Sequence, residues 1–291
     1  MKLAYYPGCV SRSTGKEMDL STRAVCAALD IELEELPDWS CCGATHVPNE
    51  FVSIGLATRN VVQTDLPIMT ACSICYSNLR NAVLRMEVPE VRSKVNAVLT
   101  KGYKGAQIRH VLDVILEVLH KDDDRIVVPL KHLKAAPYYG CLLTRPVGGI
   151  DSPEVPTIME KLVKILKAEP VDFGLNSFCC GGPIFMPQEE AAADIIYRIL
   201  KDAKKAGANA IITVCPLCHL MLDAKQKALE QKHGEMIGLP VLYVTQLVGI
   251  ALGLGPEELG LNMNSVSPMS MIEKVYERMA QQGDRAMEGR N

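Results

Sequence analysis

The sequence lacks a predominant charge of either sign. Its 291 residues include 31 Lys and Arg against 34 Asp and Glu, which gives a formal net charge of −3 and a pI of about 6.1. Proteins that bind nucleic acid in general carry a basic face, so this balance argues against that class. Any anion would have to be bound by a local basic pocket.

A long uninterrupted apolar run is also missing. Pro7 and Gly8 interrupt the N-terminus before a signal core can form. The longest apolar stretch, residues 239–254, contains polar residues and glycines and is shorter than the roughly 18–20 residues that a membrane span needs. We therefore expect a cytoplasmic protein with no membrane span.

Cysteine, in contrast, is abundant, with eleven residues in the chain. The cytosol keeps thiols reduced, so cysteines at this density are not expected to form disulfides there. Their number and pattern indicate metal or redox chemistry. Hydrophobic residues make up 48% of the chain, enough for a sizeable core.

Ten of the cysteines form two copies of one layout, which is C, a long gap, CC-G, a second long gap and C-x-x-C. The gaps are 31 and 29 residues in the first copy and 37 and 34 in the second. The first cysteine set is Cys9, Cys41, Cys42, Cys72 and Cys75. The second cysteine set is Cys141, Cys179, Cys180, Cys215 and Cys218. The eleventh, Cys26, is expected to be a buried apolar residue, and Trp39 is expected to pack beside the first set.

The flanking residues repeat as well. Residues 4–9 mirror residues 136–141, and residues 110–114 mirror residues 243–247. Order, spacing and flanks agree across both copies, which indicates an internal duplication. We predict one domain over residues 1–130, a second over 131–255 and an extension over 256–291 with a helix at about 269–279.

Short apolar runs alternate with amphipathic stretches in each half of the chain. This pattern predicts an α/β fold of two pseudo-repeated domains, each a short, mostly parallel sheet flanked by helices. Thr14 and Glu17 predict a capping box for one helix, and Ser152 with Pro153 predicts the start of another. The cysteines follow predicted strand ends, where sites form in open α/β sheets.

Five thiolates per set exceed the four that a structural zinc or an ordinary four-iron cluster needs. Adjacent cysteines are better suited to bind a metal cluster than a single metal ion. The layout therefore indicates an unusual cluster bound by five thiolates, or a cluster bound by four thiolates with the fifth cysteine as a reactive thiol. Structural zinc and a C-x-x-C dithiol remain alternatives, although the dithiol leaves the CC-G pairs unexplained.

The segments that contain these cysteines are similar to one known family. They are Tyr5–Cys9, Trp39–Ala44, Cys72–Leu79, Cys179–Pro183 and Cys215–His219. The chain resembles the cysteine-rich CCG domain family to about residue 255, and within it the B subunits of heterodisulfide reductase from methanogenic archaea.

The resemblance implies two noncubane 4Fe-4S clusters, each bound by one of the two cysteine sets, with zinc at one motif as a lesser alternative. It implies an oxidoreductase that reduces the mixed disulfide of coenzyme M and coenzyme B in methanogenesis, with the clusters themselves as the catalytic groups. Ferredoxin-type cysteine runs, present in many fused relatives, are missing here. Electrons would then come from an iron–sulfur C subunit and a flavin-bearing A subunit, and through them from a hydrogenase or formate dehydrogenase.

Such a substrate carries sulfonate, phosphate and carboxylate groups, so basic side chains are expected near the clusters. The candidates for substrate binding are Arg12, Lys16, His46, Arg145 and His219. A solvated surface role for the Arg and Lys, and a structural role for each His, are the alternatives.

Two other functions fit the same cysteines. One is a non-catalytic electron-transfer subunit of a flavin-dependent 2-hydroxy-acid or glycerol-3-phosphate oxidoreductase. The other is a zinc-bearing scaffold without a redox role, which metal analysis would distinguish.

Overall fold

The structure is a computed structural model that describes residues 1–44, 47–145 and 149–277. The described residues of the first half form four strands and five α-helices. Its strands are β1 (Lys2–Tyr5), β2 (Glu32–Glu35), β3 (Ile68–Thr70) and β4 (Ile108–His110). Its helices are α1 (Lys16–Ala28), α2 (Glu50–Val61), α3 (Ser73–Arg85), α4 (Pro89–Asn96) and α5 (Val111–Leu119).

The second half repeats this order. Its strands are β5 (Lys134–Tyr138), β6 (Glu169–Pro170), β7 (Ala210–Thr213) and β8 (Val241–Tyr243). Its helices are α6 (Ile158–Ile165), α7 (Glu189–Lys205), α8 (Pro216–His219), α9 (Gln226–His233) and α10 (Val244–Ala251), with a π-helical stretch at Leu220–Ala224.

Each half forms one four-stranded sheet in which every neighbouring pair is parallel. The strand orders are β2-β1-β3-β4 and β6-β5-β7-β8, so the two sheets have the same topology. The predicted α/β fold with two repeated parallel sheets is confirmed. Parallel order brings the carboxyl ends of all four strands to one edge of each sheet, where the cysteines follow.

The two halves pack reciprocally. Helix α1 of the first half packs against α10 of the second, and α6 of the second half packs against α5 of the first. A buried hydrogen bond of 2.7 Å joins the Ser21 and Thr245 hydroxyl oxygens across the α1–α10 contact. The larger hydrophobic core includes residues from both halves, such as Val25 and Leu247, so the halves share a core.

Two predicted helix starts are wrong. Helix α1 begins at Lys16 after Gly15, without a side-chain cap, because the Gly15 N–H closes the preceding turn on the Val10 carbonyl oxygen at 3.0 Å. Helix α6 begins at Ile158 and not near Ser152. The Asp151 carboxylate accepts hydrogen bonds from backbone N–H groups at residues 152, 157 and 158, which folds the intervening residues into a turn.

The end of the described chain docks onto the second half. Residues 269–277 are helical, and Ile272 is buried in the larger core. The Asp223 carboxylate accepts the backbone N–H groups of Ser265 and Val266 at 2.6 and 3.1 Å. The last residues of the predicted helix lie outside the described part, and the predicted domain boundaries at 130 and 255 stay predictions.

Within the described ranges, no helix has both the length and the apolar character required to cross a bilayer.

Candidate functional site

The cysteines occupy equivalent places in the two halves. In each set, the first follows the first strand: Cys9 opens a 3-10 turn after β1, and Cys141 lies just after β5. The adjacent pair lies in the loop after the second strand. The first cysteine of C-x-x-C, Cys72 or Cys215, is the N-cap of the helix after the third strand. Each set therefore converges at the carboxyl edge of its own sheet, as predicted.

The two sets are buried to similar depths. Both cysteines of each C-x-x-C and the second of each adjacent pair are buried. Cys9 and Cys179 are exposed, whereas Cys41 and Cys141 are partly exposed. Each set thus extends from the interior of the protein to its surface.

A glycine lies directly against each set. Gly8 has a φ of 79°, and a Cβ placed there would be 3.0 Å from the Cys75 sulfur. Gly140 has a φ of 64°, and its Cβ would be 3.0 Å from the Cys218 sulfur. Only glycine combines this conformation with so close an approach, so the same requirement operates in both halves.

A buried tyrosine anchors each CC-G loop. The Tyr6 hydroxyl donates to the Ser40 carbonyl oxygen at 2.6 Å, and the Tyr138 hydroxyl donates to the Phe178 carbonyl oxygen at 2.7 Å. Each acceptor residue immediately precedes its cysteine pair. Burial, with the nearby cysteine thiolates, raises the pKa of both tyrosines, so they act as neutral donors.

Hydrogen bonds within each set shift the pKa values of its thiols in opposite directions. In the first set, Cys42 and Cys75 sulfurs are 3.6 Å apart. Hydrogen bonds from the Cys41 and Cys75 thiols lower the pKa of Cys42, and the contact with Cys42 raises the pKa of Cys75. In the second set, Cys179 and Cys218 lower the pKa of Cys180 in the same way. Each set therefore favours a buried thiolate, the form that binds soft metals.

A cavity of about 190 Å³ opens beside the first cysteine set. Four of the five cysteines of the first set line this cavity. The lining also includes Gly8, Val10 and Met18 from the first half and Pro216, Leu217 and Leu220 from the second. Thiolate donors around a space of this size fit an iron–sulfur cluster. Within the described part of the chain, no group of Cys, His, Asp or Glu side chains is arranged to hold a single metal ion.

The two C-x-x-C elements meet where the halves join. The Ser73 backbone N–H and hydroxyl both donate to the Val214 carbonyl oxygen, at 3.3 and 3.0 Å. Ser73 follows Cys72 and Val214 precedes Cys215, so these bonds place the inner cysteines of the two sets beside one another.

A Tyr–His pair supports each C-x-x-C helix, with the two residue types exchanged between the halves. Tyr76, after Cys75, meets the His110 ring edge-on at 5.6 Å. His219, after Cys218, stacks on Tyr243 at 4.2 Å. Burial lowers the pKa of His110 to about 3 and that of His219 to about 4, so both rings are neutral at neutral pH.

The structure places the predicted substrate-binding residues at separate locations. Arg12 is exposed and forms an ion pair with Glu35 at 2.5 Å, and Lys16 is exposed at the start of α1. Arg145 is exposed and donates to the Ser177 carbonyl oxygen at 3.0 Å. None of these three lines the cavity beside the first cysteine set.

Of the two histidines in that prediction, His219 lies in the described part of the chain. His219 is buried, bonds the Val241 carbonyl oxygen at 3.0 Å and has its Nδ1 3.7 Å from a Glu17 oxygen. It belongs to the packing between the halves, and it too lies outside the cavity lining. His46 lies outside the described residues.

Two other expectations are confirmed. Cys26 is fully buried in the core, and burial raises its pKa to about 12, so it behaves as an apolar residue apart from the two sets. Trp39 packs edge-on against Tyr6 at 5.9 Å, beside the first set.

Sequence reasoning missed the paired roles of Tyr6 and Tyr138 and the contact between Ser73 and Val214. The tyrosines carried a signal, because each lies three residues before the first cysteine of its set. The Ser73 contact had none, because its partner is 141 residues away.

Two repeated α/β halves, each presenting five convergent cysteines, define the class of tandem cysteine-rich proteins. The family model described as "Cysteine-rich domain" (CCG) matches residues 3–80 and 135–223. The chain belongs to this cysteine-rich CCG domain family. The predicted family is thereby confirmed.

Curated relatives match nearly the whole chain. It is 33% identical over 276 residues to the 8-methylmenaquinol:fumarate reductase membrane anchor subunit of Wolinella succinogenes, covering 91% of this chain and 97% of the relative. It is 31% identical over 293 residues to the B subunit of the ferredoxin/F420H2-dependent CoB-CoM heterodisulfide reductase of Methanosarcina acetivorans, covering 95% and 97%. The predicted resemblance to heterodisulfide reductase B subunits is confirmed.

The fold is also found among solved structures. A hypothetical protein from Helicobacter pylori superimposes with a TM-score of 0.77 at 13% identity, covering 91% of this chain and 52% of that chain. This chain spans about half of that protein, and at this identity the likeness shows the fold alone.

The family match and the relatives make this chain a cysteine-rich protein similar to heterodisulfide reductase B subunits.

Proposed function

We propose that this chain is the catalytic subunit of a heterodisulfide reductase. It would bind two noncubane 4Fe-4S clusters, one with each cysteine set, and reduce the mixed disulfide of coenzyme M and coenzyme B. The reaction consumes one disulfide, two electrons and two protons and yields two different thiols.

The proximity of the two cysteine sets is the observation that carries this proposal. The Ser73–Val214 hydrogen bonds hold Cys72 and Cys215 next to one another in the chain's interior. Pro216 and Leu217, from the second C-x-x-C, line the cavity beside the first set. One small disulfide could therefore reach both sets.

The clusters would supply the two electrons and the attachment points for sulfur, as cofactors do the hard chemistry in other enzymes. The chain's own residues would hold the cysteines in position and shield the site from water. Apolar side chains such as Val10, Met18 and Leu217 line the cavity beside the first set and would limit the access of water to it. The neutral Tyr6 and Tyr138 hold the cysteine pairs in place.

A partner subunit would deliver the electrons, as the multi-subunit relatives suggest. The surface beside the second set supports this part of the proposal. Cys179 is exposed there, next to Phe178, which is 55% exposed, and Met186, seven residues further along the chain, is 90% exposed. An exposed cluster ligand among apolar side chains is suited to contact with a donor such as the proposed iron–sulfur C subunit.

Anaerobic purification followed by iron and sulfide analysis and EPR tests the proposal. About eight irons per chain are expected from two four-iron clusters. Adding the mixed disulfide to the reduced protein should change the EPR signals that depend on both sets, as identified with Cys41→Ser and Cys179→Ser variants. A change confined to one set, or a protein–substrate mixed disulfide, would contradict the two-cluster mechanism.

A second candidate is an iron–sulfur electron-transfer subunit of another oxidoreductase. The fumarate reductase subunit at 33% identity favours it, because that relative is named for a reaction that involves no disulfide. In that case the reduced protein would reoxidise with a quinone or flavoprotein partner, and its EPR signals would not respond to disulfides.

A further inference from the structure

A second cavity lies where the two halves meet, behind the helix that carries Cys75. Its volume is about 510 Å³, and its lining includes Tyr76 and Arg80 from α3, Gln107 and Arg109 around β4, and Ile150 from the second half. Cys75 is in the first turn of α3, and Arg80 is five residues later, about 7.5 Å along the helix axis. The cavity therefore adjoins the first cysteine set without being part of it.

The two arginines of this cavity differ in their partners. Arg109 is held by two carboxylates, with its guanidinium 2.7 Å from Asp113 and 2.8 Å from Glu117. Asp113 is the only carboxylate in the lining among described residues, and Arg109 already binds it. The negative charge in this cavity is therefore already neutralised by Arg109.

Arg80 has no such compensation. Its Nε is buried and has no hydrogen-bond partner among the described residues, and no carboxylate there forms an ion pair with its guanidinium. The neutral Tyr76 hydroxyl lies close to it. A partly buried guanidinium without a counter-charge is costly to maintain unless a ligand supplies the charge.

We propose that this cavity is an oxyanion-binding site in which Arg80 is the principal ligand. Its planar fork of donors matches a carboxylate, a phosphate or a sulfonate, and Gln107 offers a further amide donor. The site goes beyond the proposed function and stands without it, because it depends on Arg80 and the cavity and not on the clusters. The oxyanion is either a free anion or the acidic end of a substrate that reaches the first set.

Calorimetric titration of the full, cluster-loaded chain with inorganic phosphate, and separately with acetate, tests the site. Saturable binding of at least one probe is expected. Arg80→Gln should weaken it about tenfold or more, and Arg80→Lys should weaken it less. Arg85→Gln is the matched control, because Arg85 lies on the same helix but forms an ion pair with Glu50 at 2.9 Å.

Thermal unfolding gives an independent readout. The bound probe should raise the Tm of wild type and Arg85→Gln but not of Arg80→Gln, since a ligand of the folded state stabilises it by mass action. Competition between the probe and a disulfide substrate would assign the anion to the substrate, and binding without competition would assign a separate ligand; both support the site. Absence of saturable binding by either probe, or equal binding by Arg80→Gln, overturns the proposal.

Discussion

Ser73 donates two hydrogen bonds to Val214, one from its backbone N–H and one from its hydroxyl. The residue equivalent to Ser73 in the second half is Pro216, which has no N–H to return the bond. The contact between the two C-x-x-C elements is therefore made from one side only, although the halves are otherwise repeated.

Replacing Ser73 with Ala is expected to destabilise the protein modestly. The change removes the 3.0 Å hydroxyl bond to Val214 but keeps the backbone bond, so we expect a loss of about 1 kcal/mol. For a chain of this size the Tm should fall by about 2–4 °C, measured by thermal unfolding. Ser13→Ala is the control, because the exposed Ser13 hydroxyl makes only 3.4 Å contacts. Equal effects of the two changes would show that the Ser73 bond contributes nothing.

The glycines beside the sulfurs lead to a prediction about metal content. Gly8→Ala would place a methyl group 3.0 Å from the Cys75 sulfur, so the first set should lose its cluster while the second keeps its own. Iron per chain is then expected to fall to about half, and Gly140→Ala should do the same through Cys218.

A variant at Gly174 distinguishes the effect of crowding at the sulfur from the effect of backbone strain. This glycine has a φ of 75°, but a methyl group added there would meet no atom within 4 Å, so Gly174→Ala imposes strain without a clash. Full iron content is expected in this variant. If Gly174→Ala and Gly8→Ala lost iron equally, close approach to the sulfur would not be the reason for glycine at position 8.

Much of this arrangement could be predicted from the sequence, because the signals were local and repeated. The parallel sheets followed from alternating apolar runs, and the cysteine sets from their spacing. The helix starts at Thr14 and Ser152 could not be predicted from those residues alone. The Gly15 N–H binds the Val10 carbonyl oxygen before α1, and the Asp151 carboxylate binds the N–H groups of Thr157 and Ile158, where α6 begins. Arg80 had no signal at all, since its lack of a counter-charge depends on how distant segments pack.

The duplicated tyrosines predict similar losses of stability in the two halves. Tyr6→Phe and Tyr138→Phe each remove one hydrogen bond to a loop carbonyl, at 2.6 and 2.7 Å, and each should cost about 1–2 kcal/mol. The two sites share no partner, so in the double variant the losses should add to within about 0.5 kcal/mol. Urea unfolding measures them. Tyr197→Phe, which removes an exposed bond to Glu235, should cost less than either; a cost as large would contradict the role assigned to the buried pair.

Buried His110 predicts a pH dependence of stability. Burial lowers its pKa to about 3, against an ordinary value of 6.5, so between these values the unfolded chain binds a proton that the folded chain does not. The contribution of His110 to the free energy of unfolding should therefore rise with pH from about 3 to 6.5 and level off above 6.5. One proton corresponds to about 1.4 kcal/mol per pH unit. Because the unfolded histidine is only half protonated at pH 6.5, the gain between pH 5 and 6.5 is about 1.6 kcal/mol.

The variant His110→Asn isolates this contribution. His110 Nδ1 accepts the Leu112 N–H at 3.2 Å as the N-cap of α5, and Asn can make the same cap without titrating. Urea midpoints measured anaerobically at several pH values should show a slope smaller by one proton in this variant. A His110→Asn slope equal to that of wild type would mean that His110 is protonated in the folded protein, against the burial that the structure gives it.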